Sequence, residues 1–224
     1  MDWSYDGADG PDRWASLDEA YSDCGGRQQS PVDITGSVEG DATPLAFTYG
    51  TPANVARNNG VFVHVDYPAG NTLVSGGRTF GLQSMHMHAP SEHTVEGEEF
   101  AAELHLVHAD ADGALAVVGL LFALGEADPG VQALLDAAPA AGETVEEGVA
   151  VDPKPYVPAD PACYRYDGSL TTPPCSEGVA WHVIRAAGTV SAAQVEALRA
   201  IGGGPTNRPV QPLYGRVITL EGAA

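Results

Sequence analysis

Eleven consecutive residues, QSMHMHAPSEH (83–93), hold three of the seven histidines of the 224-residue chain. Alternate side chains of a β-strand project from the same face, so His86 and His88 would present two imidazoles to one ion. A second strand-like segment, ELHLVH (103–108), carries Glu103, His105 and Val107 on one face. If the two strands are neighbours, His105 completes a set of three neutral nitrogens. Three such ligands and one open position are the composition of a catalytic zinc site.

A simpler interpretation competes with the metal site. A single His-x-His pattern is weak, because surface histidines of a half-buried strand would also produce it. The third histidine, however, lies on a strand rich in Leu, Val and Ala. Three close imidazoles in that setting would leave buried polar groups unsatisfied unless something bound them. The spacing therefore favours metal ligands.

The rest of the chain predicts a mainly β (α+β) fold, with one domain over residues 1–224. Turn-forming sequences separate short strand-like runs, and residues 110–113 predict a hairpin connection. We expect one large, twisted, mostly antiparallel sheet with a few peripheral helices. The predicted strands are 45–49, 61–67, 71–75, 78–88, 101–108, 114–124, 177–186 and 215–220.

Two helices are predicted outside the sheet. Asp128 can cap a helix that begins at a proline and has an apolar stripe at i, i+3, i+4 and i+7. Ser191 followed by Gln194 has the form of a capping box. Residues 1–44 are expected to form an ordered coil with short turns, and residues 139–161 a long loop.

The charge balance excludes two classes of partner. Ten Lys and Arg residues, of which only Lys154 is a lysine, face 30 Asp and Glu residues, for a net charge of −20. This field repels nucleic acid and anionic membranes, and no apolar run approaches the length of a membrane span. The acidity fits either solubility with compositional bias or adaptation to high salt.

Three cysteines, Cys24, Cys163 and Cys175, leave at least one outside any internal disulfide, and sequence alone does not pair them. The chain begins without a charged and then apolar leader. We therefore expect either a cytosolic protein or one whose signal peptide has been removed.

Longer motifs resemble the α-class carbonic anhydrases over nearly the whole chain. The resemblance implies the expected sheet with zinc at the bottom of a conical cleft, and reversible hydration of carbon dioxide, a small-molecule substrate, to bicarbonate. The motifs are HMHAPSEHTVEG, FAAELHLVH, YDGSLTTPPCSEGVAWHVI, GPDRW (10–14), GGRQQSPVDI (25–34), RNNG (57–60), LAVVGLLF (115–122) and NRPVQPL (207–213).

The resemblance also implies roles for single residues. His86, His88 and His105 match the zinc ligands, and Glu103 matches the acid that accepts the N–H of the third ligand. His93, His108 and His182, which are out of phase with the ligand face or the cleft, are expected to be structural.

The substrate side of the site is implied in the same way. Glu92 matches the acid that accepts a hydrogen bond from Thr171, whose oxygen then orients the attacking hydroxide. Thr172 matches a contact of bicarbonate. An apolar wall for carbon dioxide is implied at Val107, Val117, Leu170, Val179 and Trp181.

Two positions depart from the family. Fast members carry a proton-relaying histidine after NNG, where this chain has Val61. His64 shares a face with Phe62, and the matching positions of the family line the cleft. We expect either a substitute proton shuttle with a near-neutral pKa or a histidine that merely lines the cleft or the surface. The family glutamine two residues before the first ligand is replaced by Ser84. Either Ser84, directly or through a water, or Gln83, through a β-bulge, is then expected to hold His86.

The cysteines match secreted bacterial and algal members, in which residues corresponding to Cys24 and Cys175 form a disulfide. This pairing implies an oxidising, periplasmic or extracellular compartment and a removed leader. Cys163 would then be a free thiol or would join two subunits of a homodimer. The alternatives to a carbonic anhydrase are a catalytically silent binding module on this fold and a cupin-type metalloenzyme.

Overall fold

A computed structural model describes residues 2–40, 45–160 and 162–222. Met1, residues 41–44 of the predicted coil, Pro161 of the predicted loop and residues 223–224 lie outside the described residues. The described chain forms one sheet of thirteen strands and a small sheet of three.

The elements have the following bounds. The strands are β1 (Asp33–Ile34), β2 (Val38–Glu39), β3 (Ala46–Thr48), β4 (Val55–Asn58), β5 (Val63–Asp66), β6 (Thr72–Ser75), β7 (Arg78–His88), β8 (Thr94–Val95), β9 (Glu98–Glu99), β10 (Ala102–Ala109), β11 (Leu115–Leu124), β12 (Thr144–Val145), β13 (Cys163–Ser169), β14 (Glu177–Ile184), β15 (Gly188–Val190) and β16 (Thr219–Glu221). The α-helices are α1 (Trp14–Leu17), α2 (Pro129–Asp136) and α3 (Ala192–Gly202), and 3₁₀ segments span Gly7–Asp9, Glu19–Gly25 and Lys154–Tyr156.

The large sheet is mixed but mostly antiparallel. Its main path runs β12-β4-β5-β7-β10-β11-β14-β13-β16-β2. The pairs β11 with β14, β11 with β15 and β16 with β2 are parallel, and the other pairs of this sheet are antiparallel. The predicted fold class, a mainly β single domain with few helices, is confirmed.

Both predicted helices are confirmed, each with the predicted cap. The Asp128 carboxylate accepts hydrogen bonds from the backbone of Gly130 and Val131, each at 2.8 Å, at the start of α2. At the start of α3, the Ser191 hydroxyl accepts from the Gln194 backbone, and the Gln194 side chain accepts from the Ser191 backbone. These contacts satisfy N–H groups that a helix start otherwise leaves unpaired.

Five strands of the large sheet were not predicted, namely β2, β4, β12, β13 and β15, and β4 and β13 are the longest of them. β4 ends in Arg57 and Asn58, and β13 has the sequence CYRYDGS, which mixes charged residues with glycine. Such compositions have low intrinsic strand preference, so pairing with neighbours on both sides decides their structure. The predicted coil at the N-terminus likewise contains α1, β1 and β2.

A β-bulge in β7 turns the predicted ligands toward one face of the sheet. In the pairing with β10, Val107 lies opposite Ser84 and His108 opposite Leu82, so Gln83 is the extra residue. The bulge reverses the alternation of side chains. Leu82 before the bulge, and Met85 and Met87 after it, are all buried in the larger hydrophobic cluster. His86 and His88, which alternate with the two methionines, therefore face the opposite side of the sheet.

The cysteine predictions have different outcomes. Cys24 and Cys175, which are 151 residues apart, form the predicted disulfide. Of the two alternatives for Cys163, the free thiol agrees with the structure, in which the thiol is buried and lies 3.9 Å from the His182 Nδ1 atom. A bond between two subunits is not shown, and burial of the thiol argues against it. No helix among the described residues is long and apolar enough to cross a membrane.

Candidate active site

The pairing of β7 with β10 brings the three predicted ligands together. His86 lies directly opposite His105 in this register, and His88 follows His86 on the same face. One potential ligand atom from each of the three residues lies within 4.8 Å of the other two. The distance is short enough for one ion to contact all three nitrogens.

Two of these imidazoles have their orientation fixed by hydrogen bonds. His88 Nδ1 donates to the carbonyl oxygen of Thr206 at 2.6 Å, which leaves its Nε2 buried and without a hydrogen-bond partner. His105 Nε2 lies 3.0 Å from Glu103 Oε1, which leaves its Nδ1 for another partner. A buried, unpaired nitrogen is costly, and a bound cation would remove that cost.

The electrostatics of the cluster fit a zinc ion. Burial, together with the neighbouring histidines, lowers the pKa of His86 and of His88 well below the ordinary value. Both rings are therefore neutral, as a metal ligand must be. Three imidazole nitrogens suit zinc, which prefers nitrogen and sulfur ligands.

The Glu103 carboxylate holds the ligand strand and the following loop in one network. Its Oε1 accepts from His105 and, at 2.7 Å, from His93 Nδ1. Its Oε2 accepts the backbone N–H groups of Glu92 and His93, at 2.9 and 2.8 Å. Burial acts to raise the pKa of Glu103, but the two histidines and their hydrogen bonds lower it well below the ordinary value. The group is therefore an ionised acceptor.

The three histidines expected to be structural lie in other buried contacts. His93, which could form a second cluster with Glu103 and His105, already uses both nitrogens, because its Nε2 lies 2.6 Å from the Tyr166 hydroxyl. His108 Nε2 lies 2.6 Å from the hydroxyl of Tyr49, and His182 Nε2 lies 3.2 Å from a serine hydroxyl. A metal at His93 would have to break existing hydrogen bonds. His108 has a buried Nδ1 atom without a partner, but neither His108 nor His182 belongs to a group of three potential metal ligands among the described residues.

Glu92 and Thr171 lie together beside the histidine cluster, and both are buried. Glu92 Oε1 accepts the backbone N–H of Arg208 at 2.8 Å, and Oε2 lies 3.4 Å from His88 Nε2. Burial raises the pKa of Glu92 well above the ordinary value, while hydrogen bonding from Thr171 and Arg208 acts in the opposite direction. A cation on the histidines would favour the ionised carboxylate.

The residues expected to hold carbon dioxide belong to one apolar cluster on the histidine side of the sheet. The Trp181 ring packs against His105, with ring centroids 4.9 Å apart. Thr172, the expected bicarbonate contact, is half-buried beside Thr171. The residues of this wall are Val107, Val117, Leu170, Val179 and Trp181.

The structure corrects the expected pKa of His64. Its ring lies on the histidine side, with its centroid 4.9 Å from that of His86. Burial and, second, the charge of Arg57 lower its pKa to about 4, although Asp66 acts in the opposite direction. A near-neutral pKa is therefore wrong for this structure. The position of the usual shuttle, Val61, is half-buried.

Neither candidate for holding His86 contacts it by a hydrogen bond in the described residues. The predicted bulge exists, but the Gln83 side chain is exposed and donates to the Gly81 carbonyl at 2.9 Å. The Ser84 hydroxyl has no hydrogen bond to His86, whose Nδ1 is buried without a partner. The expectation of a direct bond from either residue is wrong.

Comparisons with known proteins agree with this geometry. The model of the family described as eukaryotic-type carbonic anhydrase matches residues 9–222. The curated carbonic anhydrase of Pectobacterium atrosepticum is 39% identical over 220 residues, which cover 96% of this chain and 89% of the relative. The chain belongs to the eukaryotic-type, or α, carbonic anhydrase family.

Solved structures support the same assignment. A hyperthermostable carbonic anhydrase identified from an active hydrothermal vent chimney has a TM-score of 0.94 and 41% identity, over 98% of this chain and 99% of that chain. The α-carbonic anhydrase of Thermovibrio ammonificans in complex with sulfanilamide has a TM-score of 0.92 and 38% identity, over 97% and 98% of the two chains.

Some residues that shape this carbonic anhydrase site were not predicted from the sequence. Thr206 contributes a backbone carbonyl, which every residue has, so no sequence signal marks it. Gly119 lies opposite His105, and a Cβ atom there would stand 2.8 Å from Glu103 Oε1. The glycine leaves the space that the carboxylate fills. A lone glycine within an apolar strand, LAVVGLLF, is the available signal for such a close approach.

We expect Gly119→Ala to displace the Glu103 carboxylate and weaken the hold on His105. Loss of such an outer contact weakens zinc affinity by about 10- to 100-fold, and overpacking costs about 1–3 kcal/mol of stability. Competition with a chelator and urea unfolding measure the two effects. Gly50→Ala is the matched control, because a Cβ there meets nothing within 4 Å. Equal zinc affinity of the two variants would contradict the role of Gly119.

Proposed function

We propose that this carbonic anhydrase hydrates carbon dioxide reversibly at one zinc ion held by His86, His88 and His105. The observation that carries the proposal is the convergence of three imidazoles, two of them oriented by hydrogen bonds that leave the other nitrogen free. Catalytic zinc sites commonly have three protein ligands, which these residues would supply.

The zinc ion supplies the nucleophile when bound, since it lowers the pKa of water from about 15.7 to about 7. The protein's own residues hold and orient the reactants. The ionised Glu103 keeps the proton on Nε2 of His105, so that Nδ1 stays a lone-pair donor. The Thr206 carbonyl imposes the opposite tautomer on His88.

Thr171 and Glu92 are proposed to orient the attacking group. An ionised Glu92 can only accept hydrogen bonds, so it would take the Thr171 proton and leave the threonine oxygen to accept from the nucleophile. The role of the Thr171 oxygen would be to hold the attacking group with a lone pair toward the substrate. The apolar wall that includes Trp181 would offer carbon dioxide a surface of aliphatic and aromatic side chains, and Thr172 would contact bicarbonate.

The two alternatives fit the described residues less well. A silent binding module has no need for three converging histidines, two of them oriented by hydrogen bonds. A cupin-type metalloenzyme would use Glu92 as a ligand beside the His-x-His pair. Against it, the third histidine of the cluster comes from ELHLVH, and Glu92 accepts a hydrogen bond from the Arg208 backbone.

The function is tested by metal analysis together with carbon dioxide hydration. We expect about one zinc per chain and hydration that a sulfonamide inhibits. His105→Ala should lose zinc and activity together, because it removes one of three ligands, whereas Gln83→Ala, on an exposed side chain, should keep both. A metal-free, inactive parent protein would overturn the proposal.

Thr171→Ala tests the orienting role separately from metal binding. Removing one preorganised hydrogen-bonding group at a reacting atom typically costs about 10²- to 10³-fold in turnover. We expect a loss of this size with unchanged zinc content. Thr189→Ala, at an exposed position, is the control. A Thr171→Ala enzyme with parent turnover would contradict the assignment.

A role of His64 as a proton shuttle, predicted from the sequence, is tested by the dependence of turnover on buffer concentration. With a pKa of about 4, its ring stays neutral at pH 7–8 and does not exchange protons efficiently there. We therefore expect the ratio of turnover in concentrated to dilute buffer to be the same for His64→Ala and the parent. A larger ratio in the variant than in the parent would show that His64 does act as the proton shuttle.

An extracellular or periplasmic location is proposed on the ground of the disulfide between Cys24 and Cys175, because such bonds persist in oxidising compartments. The acidic surface is proposed to suit saline surroundings, where ions screen its self-repulsion.

Salt dependence of folding tests the saline proposal. At neutral pH we expect the melting temperature to rise by about 5 °C or more between about 0.05 and 2 M NaCl, because the added ions screen repulsion among the acidic side chains. In a chain of this size, a change of 1 kcal/mol in the free energy of unfolding shifts the melting temperature by about 2–4 °C. Near the isoelectric point of about 4.4, metal-free protein should show little salt effect. A melting temperature independent of NaCl at neutral pH would refute it.

A further inference from the structure

The three ligand histidines are not held in the same way. His88 donates to the Thr206 carbonyl and His105 lies against Glu103. His86 has no hydrogen bond among the described residues, and its Nδ1 is buried without a partner. Its Nε2 is not among the buried unpaired atoms, so this nitrogen remains open to the cleft and available to the ion.

Aromatic rings surround His86 instead. The Phe62 ring has its centroid 5.4 Å from that of His86 at a tilt of 53°, and 4.7 Å from that of His88 at 60°. The His64 ring lies 4.9 Å from His86 at a tilt of 41°. These separations are those of ring pairs in contact. Phe62 is the one that touches two ligands at once.

Asn59 fixes this part of the cleft wall. Its side-chain oxygen accepts the backbone N–H groups of Val61 and Phe62, at 2.9 and 2.8 Å. Its side-chain nitrogen lies 3.4 Å from His64 Nε2. The Phe62 side chain is nearly fully buried. The loop therefore holds Phe62 firmly enough for it to restrain its neighbours.

We propose that Phe62 is a positioning residue that holds His86 by packing, in the place of a hydrogen-bond acceptor, and that zinc is consequently released through His86. The inference rests on the proposed zinc site. Packing restrains the plane of a ring but does not select which nitrogen carries the proton, whereas an acceptor does both. His86 is thus the ligand whose orientation is least specified.

Position 84 offers the complementary test. Ser84 and His86 are two residues apart after the bulge, so their side chains share a face. A glutamine at position 84 has the reach to accept from His86 Nδ1. Ser84→Gln should then supply the missing contact and make the packing of Phe62 less necessary.

The experiment measures zinc release from the loaded protein into excess chelator, followed with a zinc-sensitive dye. We expect Phe62→Leu, which keeps apolar volume but removes the ring, to release zinc about tenfold faster, and Ser84→Gln about tenfold slower, by analogy with other outer contacts of metal ligands. The double variant should return close to the parent rate. Phe80→Leu, at a ring buried in the opposite cluster, is the matched control and should not change the rate.

Melting temperatures of the metal-free variants separate loss of folding from loss of positioning. If Phe62→Leu releases zinc at the parent rate, or no faster than Phe80→Leu, the inference is wrong. If Ser84→Gln does not slow release, His86 does not lack an acceptor and the inference is also wrong. A parent protein that binds no zinc would overturn the proposed function itself. That result differs from a zinc-binding parent whose variants release zinc at the parent rate, which would overturn only the role of Phe62.

Discussion

The site depends on the hydrogen bonds that the buried Glu103 carboxylate accepts. It accepts from two imidazoles and two backbone N–H groups, so all of its bonds are charge-assisted. An ionised carboxylate with no solvent is costly unless it is fully hydrogen-bonded. The network therefore fixes at once the tautomer of His105, the ring of His93 and the path of the loop that carries Glu92. Gly119 contributes by leaving space.

The bulge at Gln83 is the second constraint, because it lets one strand serve two environments. Without the extra residue, strict alternation would place Leu82, Ser84 and His86 on the same face. With it, Leu82 and Met85 both enter the larger core, and the imidazoles face the smaller apolar cluster. The same insertion that aims the ligands also turns Gln83 to solvent, so His86 loses a possible acceptor.

The features that side-chain identity encodes could be predicted from the sequence. The ligand strands, both helix caps and the Cys24–Cys175 pair follow from spacing, capping chemistry or family motifs. The features that could not be predicted from the sequence depend on tertiary context. The Thr206 carbonyl carries no side-chain signal, β13 forms because its neighbours pair with it, and the pKa of His64 is set by burial and Arg57. The acceptor for His86 was expected from two candidates, Ser84 and Gln83, and neither forms a direct hydrogen bond to it in the described residues.

The hydrogen bonds that complete the site join distant parts of the chain. Thr206 lies 118 residues from His88, and the disulfide that ends beside the Thr171 loop spans 151 residues. Neither contact can form in an isolated β7–β10 pair. Glu103 can orient His105 within β10, but the His88 ring is oriented only when the distant Thr206 carbonyl is in place. Because the fully oriented ligand set is then specific to the native state, zinc bound there adds its binding energy to the stability of the fold.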